Sequence, residues 1–293
     1  MKVLVVIDAE GCGVYDGTND SEAMQRELSF FIKGLEKIEV DDLIVYDFHG
    51  NGNNLTLDNL TDERISLVNN AVSVKEKGCD CAAILGMHPK AGADFAFSHS
   101  FRDEISEVVM SGKTVGELSI ILAWLEELSI PTLFVTGTVG VAEELQDYNF
   151  LYYLYDHSHS DYQLEKMSNM INTAFKKKMQ LQKREHQIMI KFHYNIIYDL
   201  LNEEIFEVKN GSLIFHSALD MMESLFIIML YIDLSNFLLN KGLYNIMYKL
   251  KKEKTSKINP IMQKEGLFFK KRKKDLNLEE LMRVQQEVEK MKI

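Results

Sequence analysis

The sequence predicts an α/β fold: a mainly parallel sheet with flanking helices, plus a second, smaller α/β domain and a helical C-terminal tail. Four short apolar runs lie within the first 150 residues, and helical segments alternate with them, as in the βαβ units of a parallel sheet. Each run stops at a glycine or at a residue that can bind a metal. We expect the strands of this sheet at residues 3–7, 43–46, 82–85 and 132–135.

Helices are predicted between these strands, at residues 21–37, 64–77 and 115–128. The Tyr- and His-rich stretch 148–160 is interpreted as a connection. A helix follows, because Leu164, Met167, Ile171 and Phe175 recur at a spacing of three to four residues. The elements expected after it are strands at 187–192 and 212–216 and an apolar helix at 218–239.

The chain is divided by composition into three parts. We expect a metal-binding α/β domain at 1–150, a second α/β domain at 151–240 and a basic, helical extension at 241–293. The formal net charge of the whole chain is −11, but residues 1–240 carry −19 and the extension carries +8. An acidic body argues against nucleic acid as its partner. Two partners stay open for the basic extension: the acidic body of the protein and an external anionic surface.

A membrane partner is not expected for the body either. The apolar helix at 218–239 is interrupted by Glu223, Asp233 and Asn236, and its uncharged run is far shorter than the ~20 residues of a spanning helix. We therefore expect this helix to be buried. The N-terminus has no secretory pattern, and three cysteines form no pairing framework. Both observations favour a cytoplasmic protein.

Four polar side chains that follow the predicted strands indicate a metal site. Asp8 and Glu10 follow the first strand, His49 the second and His88 the third. The carboxyl ends of parallel strands meet at one crevice, where ligands bind. Two carboxylates held as close as Asp8 and Glu10 repel each other unless a cation or a proton separates them. Imidazole and carboxylate ligands together suit zinc best, with manganese or iron as alternatives.

Other interpretations of these residues stay open at this point. Asp8 can cap the following helix while Glu10 faces solvent, and a histidine at a strand end is more often a turn or core residue than a ligand. The run into Asp8-Ala9-Glu10-Gly11 is similar to the Asp-x-Asp-Gly of aspartyl phosphatases, with Glu10 in place of the second aspartate. The glycines at 11, 13 and 17 match a dinucleotide-binding loop only weakly.

Five short motifs, in this order along the chain, resemble a known family. The motifs are Asp8-x-Glu10-Gly11, Asp47-x-His49-Gly50-x-x-x-Asn54, Gly86-Met87-His88, Ser98-His99-Ser100 and Val115-Gly116-Glu117. Together they resemble the bacterial zinc-dependent D-aminopeptidases of the DppA type. The resemblance runs from residue 1 to about residue 145 and continues through 212–239 as a strand followed by an apolar helix.

This resemblance implies a metallo-aminopeptidase with two zinc ions per chain, small peptide substrates with a free amino terminus, and assembly into a homo-oligomeric ring. The implied zinc ligands are Asp8 as the bridge, Glu10 and His49 in one site, and His88 and Glu117 in the other. His99 would be the catalytic histidine. Taken alone, Glu117 is a first-turn carboxylate of a helix and His99 a residue of a polar loop. Their roles therefore come from the resemblance.

Two departures from the family pattern keep other functions open. The stretch between Glu10 and His49 is shorter than usual in the family, and Gly137-Thr138 stands where many relatives have Gly-Asp. One alternative is a ring-forming metal-binding scaffold or regulator with reduced activity. The other is a metal-dependent hydrolase of a different amide or ester.

Overall fold

The computed structural model describes most of the first 240 residues. The described residues are 1–12, 19–50, 52–56, 62–95, 97–146, 148–155, 159–177, 181, 186–194, 197–198, 201 and 206–240, without the side chains of 226, 230, 234 and 237–240. The predicted C-terminal extension at 241–293 lies outside them.

Eleven strands, six α-helices and one short 3-10 helix (Val139–Val141) are described in this part of the chain. The strands are β1 (Lys2–Ile7), β2 (Asp42–Asp47), β3 (Ile65–Val68), β4 (Cys81–Met87), β5 (Ile105–Met110), β6 (Lys113–Thr114), β7 (Thr132–Thr138), β8 (Leu151–Tyr155), β9 (Ile188–Phe192), β10 (Glu207–Lys209) and β11 (Ser212–Phe215). The helices are α1 (Asp20–Gly34), α2 (Ala71–Lys77), α3 (Glu117–Glu127), α4 (Ala142–Leu145), α5 (Asp161–Lys176) and α6 (Ala218–Asn240).

The larger sheet is parallel throughout, with six strands in the order β3-β2-β1-β4-β7-β8. The chain runs outward from β1 to β3 on one side and then crosses back to place β4 on the other side of β1. The winding direction therefore reverses between β1 and β4. In doubly wound sheets of this kind, ligands bind outside the carboxyl ends of the strands at that reversal point.

The smaller sheet is antiparallel, with five strands in the order β10-β11-β9-β5-β6. Its apolar side chains Ile188, Ile190 and Leu213 are completely buried and belong to the same core cluster as α3 and α6. The second sheet thus extends the layer of helices on one face of the larger sheet.

The larger sheet is apolar on both faces because helices cover both. Alternate residues of β1 enter different core clusters: Leu4 and Val6 pack with the α3 side, whereas Val3, Val5 and Ile7 pack with α1 and α5. This alternation follows from the two-residue period of a strand, and a near-continuous apolar run is typical of a parallel strand buried on both faces.

The predicted fold class is confirmed, but two of its elements are wrong. Residues 64–77 do not form one helix: Ile65–Val68 is an edge strand paired with β2, and the helix starts only after Asn70, whose side chain accepts the Ser73 N–H. Residues 148–160 are more than a connection, since they contain β8, which pairs with β7. Strand β5 was not predicted.

The division at residue 150 stays a prediction, although segments from both sides of it share each sheet. Strand β8 extends the larger sheet, and β5 joins the smaller one beside β9. The apolar helix α6 buries Met221, Ile228 and Ile232, as expected. No helix within the described part of the chain combines the length and apolar character needed to cross a membrane.

Candidate metal centre

The ends of β1 and β4 approach each other closely at the point where the sheet reverses. The Gly11 N–H donates to the Gly86 carbonyl oxygen at 2.8 Å, and the Asp8 N–H donates to Leu85 at 3.0 Å. Gly86 has φ +72°, and a Cβ there would lie 2.1 Å from the Asp8 carbonyl oxygen. Only glycine fits both the left-handed backbone and this contact. The close approach brings the residues after β1 next to those after β4.

His88 lies at the middle of the resulting cluster. Its Nε2 atom is 3.1 Å from Glu117 Oε1, 3.2 Å from Glu10 Oε2 and 3.5 Å from Asp8 Oδ2. The His88, Asp8 and Glu117 side chains are all buried. The cluster therefore gathers residues from the ends of β1 and β4 and from the first turn of α3.

His49, which follows β2, approaches Asp8 from the other side. Its Nδ1 atom lies 2.9 Å from Asp8 Oδ1, so the two oxygens of the Asp8 carboxylate face different histidines. The Nε2 atom of His49 is 3.4 Å from Asp20 Oδ2. Asp20 was not among the predicted site residues, because its position next to the helix-capping Asn19 marks it as an ordinary first-turn carboxylate.

His99 reaches the cluster from the loop between β4 and β5. Its ring stacks on the His88 ring, with centroids 4.5 Å apart and planes 15° apart. Its Nε2 atom is 3.4 Å from Glu10 Oε2 and 4.0 Å from Glu117 Oε1. The His99 side chain keeps 22% of its surface exposed, whereas His88 keeps 1%. His99 therefore lies at a solvent-facing side of the cluster, as does His49, whose side chain is equally exposed.

Neighbouring groups fix the orientation of the cluster residues. Asp47 accepts the backbone N–H groups of Asn54 and Leu55, and the Asn54 side chain donates to the His49 carbonyl oxygen at 2.6 Å. Glu117 Oε1 also accepts the Phe101 N–H. Asp47 is the first residue of the motif that contains His49. Its hydrogen bonds thus go to the loop backbone, and they shape the loop that carries His49.

The acidic residues of the cluster lack enough hydrogen-bond donors. Among the described residues, Asp8 Oδ2 and Glu10 Oε2 are buried without a hydrogen-bond partner. Burial, reinforced by the neighbouring charge of Asp8, raises the pKa of Glu10 to about 7. Burial alone would lower the pKa of His49 and of His88. The carboxylates around these two rings instead raise the pKa, to about 9 for His49 and about 10 for His88. The cluster therefore holds positive charge strongly.

The donor set fits metal ions. Two sets of ligand atoms each lie within 4.8 Å of one another: Glu10, His88 and His99, and Asp8, His88 and Glu117. Carboxylate oxygens and imidazole nitrogens are ligands that zinc prefers, and a divalent cation would satisfy the two unpartnered oxygens. The fold brings together all the residues predicted from the sequence, namely Asp8, Glu10, His49, His88, His99 and Glu117.

Comparison with known proteins identifies the family. The sequence profile of the peptidase family M55, described as D-aminopeptidase, matches residues 1–205. The chain belongs to this family. Membership confirms the resemblance found from the five motifs, and with it the prediction of an enzyme of the peptidase class.

A solved structure supports the fold of this M55 chain. It is the Zn-dependent D-aminopeptidase DppA from Bacillus subtilis, described as a self-compartmentalizing protease. The two share 19% sequence identity with a TM-score of 0.64, over 78% of this chain and 97% of the other. The likeness confirms the expected fold. No curated protein matches the sequence.

Proposed function

We propose that the protein is a zinc-dependent D-aminopeptidase that hydrolyses short peptides with a free amino terminus. The observation that supports it best is the cluster of carboxylates and imidazoles at the reversal point of the sheet, in a chain of the D-aminopeptidase family. The preference for an N-terminal D-residue comes from the family. Zinc is proposed because the ligands suit it and because the similar Bacillus subtilis protein is described as Zn-dependent.

Two zinc ions per chain are proposed, with Asp8 as the bridging ligand. Its Oδ1 atom faces His49 and its Oδ2 atom faces His88, which is the arrangement a bridging carboxylate requires. Glu10 and His49 would complete one zinc site, and His88 and Glu117 the other. When bound, a zinc pair supplies Lewis acidity toward the scissile carbonyl and lowers the pKa of water.

His99 is the proposed catalytic residue. Its ring is partly exposed while the stacked His88 ring behind it is buried. A histidine held at the edge of such a site can move a proton between the attacking water and the departing amine. The Glu10 oxygen 3.4 Å from its Nε2 atom orients the ring toward the centre.

A homo-oligomeric ring in the cytoplasm is part of the same proposal. The Bacillus subtilis protein is described as self-compartmentalizing, and a closed chamber would restrict substrates to short peptides. The molar mass in solution, measured by light scattering, tests the assembly independently of activity.

One experiment separates the proposed activity from its alternatives. Purified protein is analysed for metal and then assayed on matched D- and L-aminoacyl amides and dipeptides. We expect about two zinc ions per chain, as in two-metal hydrolases, and faster cleavage of the D-series. Zinc without peptide cleavage would favour the scaffold hypothesis, and cleavage of other amides or esters alone would favour a different hydrolase.

The bridging role of Asp8 is tested in the same preparation. The Asp8→Ala variant should contain much less zinc than the wild type, whereas Asp94→Ala, at an exposed loop position, should contain the same amount. Full retention of both ions by the Asp8 variant would contradict the bridge.

A further inference from the structure

A buried polar network lies directly behind the strand ends that form the metal centre. Glu27 of α1 is completely buried, yet it is a carboxylate. Thr136 of β7 donates its hydroxyl to Glu27 Oε1, and His159, which precedes α5, places its Nε2 atom 2.8 Å from Glu27 Oε2. A buried carboxylate is costly unless hydrogen bonds satisfy it, and here both oxygens have a partner.

The geometry around His159 indicates whether its Nε2 atom donates or accepts the hydrogen bond with Glu27. Its Nδ1 atom is buried and has no hydrogen-bond partner among the residues that the structure describes. We therefore assign the ring proton to Nε2, which donates to Glu27. The His159 carbonyl oxygen accepts from Arg26 at 2.6 Å, and the same guanidinium pairs with Asp161 at 2.6 Å. His159 is thus held in place by hydrogen bonds of both its ring and its backbone carbonyl group.

The other groups beside Glu27 are neutral. Burial, together with the charge of Glu27, raises the pKa of the Cys12 thiol and of the Tyr155 hydroxyl well above their ordinary values. Cys12 donates its thiol proton to the Asp8 carbonyl oxygen at 2.9 Å. The network therefore contacts the backbone of the bridging ligand on the β1 side.

Thr136 connects the same network to the β4 side. Its hydroxyl oxygen accepts the Gly86 N–H at 2.9 Å. The register of β4 against β7 shifts between Ile84 and Met87, so a side chain takes the place of a backbone partner at this position. Gly86 lies two residues before His88 and in turn accepts the Gly11 N–H. A continuous series of hydrogen bonds therefore joins Glu27 to both strand ends.

We propose that Thr136, anchored by the buried Glu27–His159 pair, is a positioning residue that sets the placement of His88 relative to Asp8 in the metal centre. Glu27 and Thr136 are completely buried, so they act through the backbone and not on a substrate. The inference rests on the proposed function, because it assumes that Asp8 and His88 share a metal centre. Groups that orient metal ligands in this way are typically worth about 10–100-fold in metal affinity.

Cobalt(II) substitution tests the proposal without relying on catalysis, because the visible spectrum of bound cobalt reports coordination geometry. The variants are Thr136→Val, which keeps the shape of the side chain but removes the hydroxyl, and Thr136→Ser, which restores it. Thr138→Val is the matched control. Thr138 is a buried threonine of the same strand, and its hydroxyl has no hydrogen-bond partner among the described residues.

We expect Thr136→Val to bind cobalt about 10–100-fold more weakly and to change the spectrum, while Thr136→Ser and Thr138→Val match the wild type. A Thr136→Val protein with wild-type affinity and spectrum would overturn the proposal. So would a Thr138→Val protein that is perturbed equally, because the effect would then be general to the strand. Should Thr136→Val fail to fold, Glu27→Gln replaces it, since its amide cannot accept both hydrogen bonds, and an unchanged spectrum in that variant would also overturn the proposal.

The outcome is separable from that of the proposed function. A wild type that binds cobalt but cleaves no D-aminoacyl substrate would refute the aminopeptidase activity, and the comparison of spectra would still decide the role of Thr136. A wild type that binds no cobalt would refute both.

Discussion

At the scale of single residues, His99 combines two properties that proton transfer requires. The stacked ring of His88 limits its rotation, and its remaining exposure gives it access to a substrate. His88 lies deeper, between carboxylates. His49 is as exposed as His99 but lies between Asp8 and Asp20, so both His49 and His88 are suited to hold metal. Burial therefore separates His99 from the proposed ligand His88, whereas His49 differs from His99 by its 2.9 Å contact with the Asp8 carboxylate.

Replacing His99 should therefore lower turnover and leave the metal bound. We expect His99→Ala to reduce kcat about 10²–10⁴-fold, the usual contribution of general acid–base catalysis, with zinc content unchanged. His193→Ala, at an exposed histidine, serves as the control. Near-native turnover of His99→Ala would make His99 an ordinary loop residue, and loss of zinc would make it a ligand.

Gly86 offers a second test at this scale. We expect Gly86→Ala to lose zinc and much of its stability, because the new Cβ would lie 2.1 Å from the Asp8 carbonyl oxygen. Gly112 has a similar left-handed backbone, with φ +81°, and no atom of the described residues lies within 4 Å of the position of a Cβ there. Gly112→Ala should therefore cost only the backbone term of about 1–2 kcal/mol and keep its zinc. Equal zinc contents in the two variants, measured by elemental analysis, would show that the close approach of the strands is dispensable.

Sequence patterns predicted the residues at the strand ends but not those that support them. Asp8, Glu10, His49 and His88 each follow an apolar run, so topology alone brings them together. Thr136 lies inside an apolar strand and Glu27 inside a helix. The sequence around each of them is the same as around an ordinary core or surface residue. Their contacts depend on how β7, α1 and α5 pack, which no local periodicity reports.

At the scale of elements, the N-terminus of α3 depends on a residue from outside the helix. Gly116, at the cap position, offers no side chain, and Glu144 of α4 accepts both the Gly116 N–H at 2.9 Å and the Ser119 hydroxyl. A carboxylate at this end of a helix also interacts favourably with the helix dipole. Glu144 therefore stabilises the first turn, which carries Glu117 into the candidate metal centre.

Removing this cap should destabilise the protein and loosen metal binding. We expect Glu144→Ala to lower the free energy of unfolding of the metal-free protein by about 1–3 kcal/mol, measured in urea, and to weaken zinc binding. The neighbouring Glu143 is 74% exposed and pairs with Lys90 at the surface, so Glu143→Ala should have little effect. Equal losses in the two variants would assign the effect to α4 as a whole.

The elements that sequence patterns missed share a physical cause. Strand β3 is a four-residue edge strand, and β5 belongs to a small antiparallel sheet whose partner strand β9 comes much later in the chain. Short runs of mixed polarity fit a helix or a strand equally well, and only the distant partner decides between them. The strands that form the centre of the larger sheet are longer apolar runs, which is why they were predicted.

At the scale of the whole molecule, the parallel sheet explains why the site can be acidic and buried at once. The reversal between β1 and β4 opens a crevice at the carboxyl ends of the strands, and the glycines of both strand ends let the carboxylates converge there. The remaining charge of the body is also acidic, whereas the 241–293 extension, which lies outside the described residues, is basic. Opposite net charges therefore favour an attraction between the two parts.

This attraction leads to a prediction for the extension. We expect residues 241–293 to pack on the acidic body or on a neighbouring subunit, with an apolar face formed by Leu278, Leu281, Val284, Val288 and Met291. Removing the extension should then lower solubility or change the oligomer measured by light scattering, and leave zinc content intact. If the extension instead binds an anionic membrane or nucleic acid, the truncated enzyme will keep its oligomeric state and activity and lose only salt-sensitive binding to anionic vesicles or RNA. Loss of zinc on truncation would contradict both, because it would require the extension to support the α/β body that carries every proposed ligand.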